Sequence, residues 1–246
     1  MSRVLLLKCG TANPAVSARL GDYDRWFVQA FGGEGHHFEV WQAWLGEKAP
    51  RADSFDAVIA TGSPLSVTAF SPWMQDAAGW LLDAAGAGVP VLGVCFGHQL
   101  LAHALGAHVA RNPNGREIGT ITCELTNAGA ADPLFEGVRS SFAVQATHED
   151  VVDRWPDTLR PLAKNANTAL QAFAFGEHVR AVQFHPEIDA AAIKALIEAR
   201  TSRLEAEARA RGADPKEHLR ALYAGIRPTP SGPQILKNFL RHFARR

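Results

Sequence analysis

The stretch that most constrains this chain runs Pro90-Val-Leu-Gly-Val-Cys-Phe-Gly-His-Gln-Leu-Leu-Ala-His-Ala-Leu-Gly106. Val89 to Val94 is short and unbroken by polar residues, as a strand buried on both faces must be. A helical pattern starts within two residues of its end. So abrupt a strand-to-helix turn needs small neighbours, here Gly93 and Gly97, and it holds the residue at its apex, Cys95, in a strained position above the sheet. Two similar apolar runs, Val4 to Leu7 and Ala57 to Ala60, come earlier. Helical patterns lie between the three runs. Tyr23 to Phe31 carries Trp26, Phe27, Ala30 and Phe31 on one stripe, and Pro72 to Ala87 opens with Ser71 as N-cap and Pro72 at the first position. Such alternation predicts parallel strands in a wound α/β sheet.

Beyond Ala107 the texture becomes strand-rich, with segments near Ile118 to Leu125, Ser141 to Ala146, Leu170 to Phe175 and Val179 to Phe184. These are expected to extend the same sheet as antiparallel strands. From Asp189 the pattern is helical again. Glu205/Arg209 and Glu207/Arg211 stand at i,i+4 spacing on what reads as a solvated face, and a Gly-Ala-Asp-Pro break precedes two further helices. No repeat or linker divides the chain, so residues 1–246 are expected to form one domain that includes the helices of 189–246.

With 246 residues, 47% of them hydrophobic, there is material for a full core. Lys plus Arg number 25 and Asp plus Glu 25, so no global field draws the chain to nucleic acid or to an anionic membrane. A small-molecule substrate fits better. Cys9, Cys95 and Cys123 are odd in number and form no CxxC pair, which argues against a disulfide framework and for a reducing cytoplasm. The apolar run at the N-terminus is too brief for a signal or a membrane span. His36 and His37 diverge as neighbours, and His98, His103 and His108 fall at i,i+5, off the face that chelation needs, so no metal is expected. No P-loop occurs, and no organic cofactor is expected.

Chemistry therefore centres on Cys95. It opens a helix, where the dipole and free backbone N–H groups favour a thiolate. Cys9 and Cys123, without a glycine frame, read as small core residues. A thiolate needs a base and a group to orient that base. Val182-Gln-Phe-His-Pro-Glu187 offers both: His185 and Glu187 stand two apart, and Pro186 favours the extended backbone that turns them to one face. The oxyanion formed on attack needs fixed donors. Phe96 supplies one backbone N–H by position, and Gly62, in the Thr61-Gly-Ser-Pro64 turn after the Ala57 to Ala60 strand, can supply another.

Gly93-Val-Cys-Phe-Gly-His-Gln99 together with Phe184-His-Pro-Glu187 resembles the class I glutamine amidotransferases, most closely the glutaminase domain of GMP synthase and its stand-alone relatives. Thr61-Gly-Ser-Pro64, Gly115-Arg-Glu-Ile-Gly119 and Gln145-Ala-Thr-His-Glu-Asp150 add to the likeness, which covers nearly the whole chain. The resemblance implies a flavodoxin-like three-layer fold with a mixed, largely parallel central sheet. It implies a γ-glutamyl thioester on Cys95, His185 as base and proton donor, Glu187 as its orienting group, and an oxyanion hole from Gly62 and Phe96. It also implies Gln99 beside the bound glutamine and the Thr147-His148 backbone at the amino-acid head group.

Some residues depart from the family pattern. Phe96 stands where many members have Gly or Leu and is expected to shape the pocket wall. Ser63 replaces a glycine of the oxyanion loop. The sequence carries no Ser-Gly-Gly-Val-Asp-Ser pyrophosphatase loop, so the expectation is a glutaminase that is not a complete GMP synthase, with ammonia released or passed to a separate synthetase subunit. The same chemistry would serve a γ-glutamyl peptidase acting on glutathione-like compounds. A silent regulatory or binding protein of the same fold is the alternative from another class. The segment Thr11 to Asp22 reads as a polar loop bordering the substrate.

Overall fold

The structure is a computed structural model that describes residues 2–32 and 35–245. In chain order its strands are β1 (Ser2–Leu7), β2 (His36–Trp41), β3 (Ala57–Ala60), β4 (Val91–Val94), β5 (His108–Arg111), β6 (Glu117–Leu125), β7 (Ser141–His148), β8 (Asp150–Arg154), β9 (Arg160–Lys164), β10 (Ala172–Phe175) and β11 (Val179–Val182). The helices are α1 (Pro14–Leu20), α2 (Tyr23–Phe31), α3 (Pro72–Gly86), α4 (Phe96–Ala104), α5 (Asn127–Ala130), α6 (Ala190–Ala199), α7 (Thr201–Ala210), α8 (Pro215–Gly225) and α9 (Ser231–Phe243).

Among the described residues nine strands form one sheet in the order β2-β1-β3-β4-β11-β10-β9-β6-β7, and β5 pairs with β8 separately. From β2 to β11 neighbours run parallel; from β11 to β7 they run antiparallel. Val4 to Leu7 of β1, together with β3 and β4, are buried on both faces, which explains their unbroken apolar sequences. Leu5, Leu7, Val58, Ala60, Val91 and Ala181 face α3 and α4, while Val4, Leu6, Ile59, Leu92, Val94 and Val182 face α2 and α9. Two cores on either side of one sheet make a three-layer α/β sandwich. A third cluster joins α1, α2, α6 and α7 at the carboxyl ends of the strands through Val16, Tyr23, Trp26, Ile193, Leu196 and Leu204.

Several expectations need correction. Val179 to Val182 pairs antiparallel with β10 but parallel with β4, so it is the junction between the sheet's two halves. Strands β2, β5, β8 and β9 were not anticipated. Pro161 lies within β9, beside the register shift at Ala172/Phe173 of its partner, where an interrupted ladder tolerates a missing N–H. Thr11 to Asp22 is not a plain loop: Asn13 caps α1 by accepting from the Ala15 N–H, and Asp22 accepts from Ala12 and Tyr23. Ser71 occupies the N-cap of α3, but its hydroxyl makes no capping bond. Glu205 does pair with Arg209 at 3.1 Å, whereas Glu207 turns inward to Arg116 at 3.1 Å and leaves Arg211 only a bond to its carbonyl. No helix among the described residues is long and apolar enough to cross a membrane.

Candidate active site

Strand β4 ends at Val94, and α4 begins at Phe96, so Cys95 makes the whole turn alone. Its φ of 52° and ψ of −98° give it the one positive φ of a non-glycine among the described residues. A side chain held there costs about 1–3 kcal/mol, sustained only where the surroundings dictate it. They do. The Cys95 N–H donates to the Val182 carbonyl at 2.8 Å, and its carbonyl accepts from Gln99 N–H at 3.1 Å. The glycine frame is equally tight. A Cβ on Gly93 would lie 2.6 Å from the Gly97 carbonyl oxygen, and one on Gly97 would lie 2.4 Å from that of Ala60.

His185 lies three residues past β11 and is fixed by its own N–H donating to the Gln145 carbonyl at 2.8 Å. Its Nδ1 stands 2.6 Å from Glu187 Oε1, with both side chains buried. The carboxylate accepts, so Nδ1 carries a proton. Burial alone would lower the imidazole pKa. The Glu187 carboxylate, and beyond it Cys95, outweigh burial and raise it to about 10. Gly62 closes against this ring, since a Cβ there would meet His185 Cε1 at 2.7 Å. The Gly62 and Phe96 amides have no acceptor among the described residues. Cys95, His185, Glu187 and the two amides are thus gathered at the carboxyl ends of β3, β4 and β11, where open α/β sheets bind ligands.

The other expected residues are engaged with the protein interior. Gln99 Nε2 donates to the Asp150 carbonyl at 2.8 Å and to Gln183 Oε1 at 3.0 Å, so its amide group is already engaged inside the protein. His148 Nε2 meets Glu117 Oε2 at 2.9 Å, and its Nδ1 lies 3.1 Å from the Asp150 carbonyl. Glu117 also accepts from Thr168 at 3.1 Å and Gln171 at 2.7 Å, with Asn165 on its other oxygen at 2.5 Å. Burial would raise the Glu117 pKa, but these donors, His148 foremost, bring it below its ordinary value. The Thr147 hydroxyl is buried without a partner. The Phe96 ring does not shape a pocket wall: it is 1% exposed and stacks on Trp73 within the core, because the first turn of α4 directs it under the helix. Ser63 uses its hydroxyl inside the loop, accepting from the Leu65 N–H at 3.1 Å.

Sequence reasoning missed two residues of this region. Tyr23 opens α2, capped by Asp22, and lies within Coulombic range of Cys95 and Glu187, with burial raising its phenol. Arg200, between α6 and α7, lies within range of Tyr23 and Cys95, and burial lowers its guanidinium. No local signal marks either one. Arg116, noted only as part of a motif, anchors an ion network with Glu149 and Glu207 that also takes in Arg203. An apolar cleft of about 880 Å³ is lined by Trp26, Glu187, Ile188 and Pro230; Cys95 and His185 are not on its wall.

A strained thiol at a helix start, an imidazole held by a carboxylate, and two unengaged amides can together support nucleophilic attack on a carbonyl. Comparison with known proteins bears on which carbonyl. The family described as glutamine amidotransferase class-I matches residues 21–200. A GMP synthase (glutamine-hydrolyzing) of Thermomicrobium roseum is 38% identical over 131 residues, 53% of this chain and 23% of that protein. A protein of Sulfolobus acidocaldarius, named as one subunit of a glutamine-hydrolyzing GMP synthase, is 35% identical over 135 residues, 54% of this chain and 68% of that one. The chain thus spans about a quarter of the length of the longer relatives it matches. Among solved structures, a glutamine amidotransferase from Thermotoga maritima superposes with a TM-score of 0.73 at 23% identity, covering 98% of this chain and 96% of that one. One from Methylobacillus flagellatus does so at 0.75 and 21%, covering 100% and 96%. The fold is that of these enzymes, and the chain belongs to the class I glutamine amidotransferase family.

Proposed function

We propose that this protein hydrolyses the side-chain amide of glutamine through a γ-glutamyl thioester on Cys95. One observation carries the reading: the strained Cys95 elbow stands beside a buried imidazole locked to Glu187 at 2.6 Å. Cys95 attacks as a thiolate, with its proton on His185. An S–C bond forms at the amide carbon, and the oxyanion is met by the Gly62 and Phe96 amides. The C–N bond then breaks as His185 gives its proton to the leaving ammonia. Water attacks the thioester, His185 takes up the proton, and glutamate leaves with the thiol restored. Glu187 keeps Nδ1 protonated and Nε2 on the reacting side throughout. Residues 1–246 act as one amidotransferase domain, a reading supported by α9, which packs Ile235, Leu236 and Phe239 into the core beside β4. The ammonia is released or passed to a separate synthetase chain, in line with the Sulfolobus relative, whose name makes it one part of a GMP synthase.

The test is intact-protein mass spectrometry after incubation with diazo-oxo-norleucine, beside Cys95→Ala, with ammonia release measured on glutamine and on γ-glutamyl peptides. Adduct on the native chain alone, with glutamine the preferred amide, is expected. Preference for γ-glutamyl peptides would make the protein a peptidase, and no adduct with any γ-glutamyl electrophile would remove the basis for the reading.

A further inference from the structure

His185 and Glu187 stand beyond the end of β11, where the ladder with β4 has already stopped at Val182. His185 is held instead by an isolated bridge to Gln145 of the edge strand β7, its N–H donating to the Gln145 carbonyl at 2.8 Å. The side chain of Gln145 is wholly buried and closes a ring with two other residues. Its Nε2 donates to the Arg227 carbonyl at 3.0 Å, the Arg227 N–H donates to the Thr120 hydroxyl at 3.1 Å, and that hydroxyl donates to Gln145 Oε1 at 3.0 Å. Such a ring needs a side chain that both donates and accepts, as an amide does and a carboxylate does not. Arg227 lies in the connection between α8 and α9, where Pro228 and Pro230 restrict the backbone on either side of Thr229. The connection runs into Gly232, in the first turn of α9, which lies directly on Pro186. A Cβ on Gly232 would fall 2.6 Å from the Pro186 carbonyl oxygen and 3.1 Å from its Cα.

A buried amide that reads both the N–H side and the carbonyl of one distant residue ties two chain segments together, and a fully satisfied buried network of this kind is rigid. Gln145 carries His185 on its backbone carbonyl and Arg227 on its side chain, so the imidazole and the 226–232 segment are linked through one residue. Gly232 supports the Pro186–Glu187 peptide from the same segment. The imidazole–carboxylate pair that these contacts hold is set at 2.6 Å, and misplacement of a reacting group by ~1 Å costs about 10²-fold in rate. We infer that Gln145 is a positioning residue for His185, and that the 226–232 segment is a strut that holds both Gln145 and the Pro186–Glu187 peptide in place. The inference rests on His185 as the base of the proposed amidase and adds the support that aims it. The strut lies outside residues 21–200, which the family matches.

The test uses the full chain with Gln145→Met, Thr120→Val, both together, Gln145→Glu, and Gly232→Ala. The readouts are steady-state kinetics on glutamine and the NMR signal of the Nδ1 proton between His185 and Glu187, with urea midpoints to check folding. Phe31→Ala is the control for lost stability alone, since Phe31 packs on Phe38 of β2 at the opposite edge of the sheet. Gln145→Met should lower kcat about 10- to 100-fold with KM within about threefold, and should shift or broaden the Nδ1 signal. Thr120→Val opens the same ring, so in the double variant the losses should not add and kcat should stay within about threefold of Gln145→Met. Gln145→Glu has a donor only when its carboxyl is protonated, a form that burial favours; relative to the native chain at each pH it should recover as pH falls towards about 5. Gly232→Ala should lower kcat by about tenfold with Gln145 intact, and Phe31→Ala should lower the urea midpoint and leave kcat as it was. Native kcat and a native Nδ1 signal in Gln145→Met, whatever its urea midpoint, would overturn the inference, as would a rise in KM alone. Should Gln145→Met not fold, native kcat in both Thr120→Val and Gly232→Ala would overturn it. If the native chain turns over no γ-glutamyl amide, the amidase reading itself fails, and the Nδ1 signal alone decides whether Gln145 positions His185.

Discussion

Gly97 sits where α4 presses on β3, and replacing it with alanine tests whether that contact sets the position of Cys95. The new Cβ would fall 2.4 Å from the Ala60 carbonyl oxygen, 2.8 Å from its Cβ and 2.9 Å from its carbonyl carbon. Ordinary contacts between such atoms are about 3.5 Å, so helix and strand must separate by roughly 1 Å. Backbone lies on the strand side and cannot swing away. Overpacking of this kind costs about 1–3 kcal/mol, and this site belongs at the upper end. With a urea slope near 3 kcal/mol/M for a chain of this size, the midpoint should fall by about 1 M. The same displacement carries Cys95 and the Phe96 amide away from Gly62, and misplacement of ~1 Å costs about 10²-fold in rate. Gly79→Ala is the control. That residue is on the exposed face of α3 with nothing within 4 Å of its Cβ, and alanine there should stabilise by up to about 1 kcal/mol through helix propensity without altering activity. A Gly97→Ala protein with the native urea midpoint and native turnover would refute the close-approach argument.

Three further outcomes are expected. For Glu187→Gln, burial is left to act on His185 without the carboxylate; NMR should show the imidazolium of the native protein, raised to about 10, become neutral at pH 7, with turnover down at least about 10²-fold. Because the folded pKa is the raised one, the pair's contribution to stability is complete below 6.5 and is lost as pH climbs towards about 10; Glu187→Gln should flatten that alkaline limb in urea titrations. For Glu117→Gln, an amide replaces a carboxylate that accepts from four side chains, so chemical denaturation should show a loss of about 2–4 kcal/mol. The Glu117 pKa is depressed, so its contribution is present above 4.5 and lost as pH falls through the folded value; the variant should lose stability less steeply in acid, and equal acid limbs would count against the network. A neutral alkylating reagent should modify Cys95 alone in the folded protein, because burial pushes the Cys9 thiol up to about 12 and also raises Cys123; peptide mapping that found either of those alkylated before unfolding would contradict this.

Much of the fold was readable because it is written locally. The doubly buried strands of the parallel half are continuous apolar runs, α2 begins and ends at the predicted residues, and the elbow follows from Gly93 and Gly97 on either side of one cysteine. The His185–Glu187 pair was readable for the same reason: two residues apart on an extended backbone, they need no distant partner to meet. The short strands β2, β5, β8 and β9 were not readable, because they are edge or partly covered strands with irregular burial and carry neither a continuous apolar run nor a clean alternation.

What the sequence by itself determined is thus the Cys95 turn and the His185–Glu187 pair, both of which depend on neighbours within a few positions. Tertiary structure alone decided where the Phe96 ring points and how Glu117 gathers donors from β7 and the turn between β9 and β10. Sheet order and helix packing place those groups, and neither has a period that can be counted along one chain.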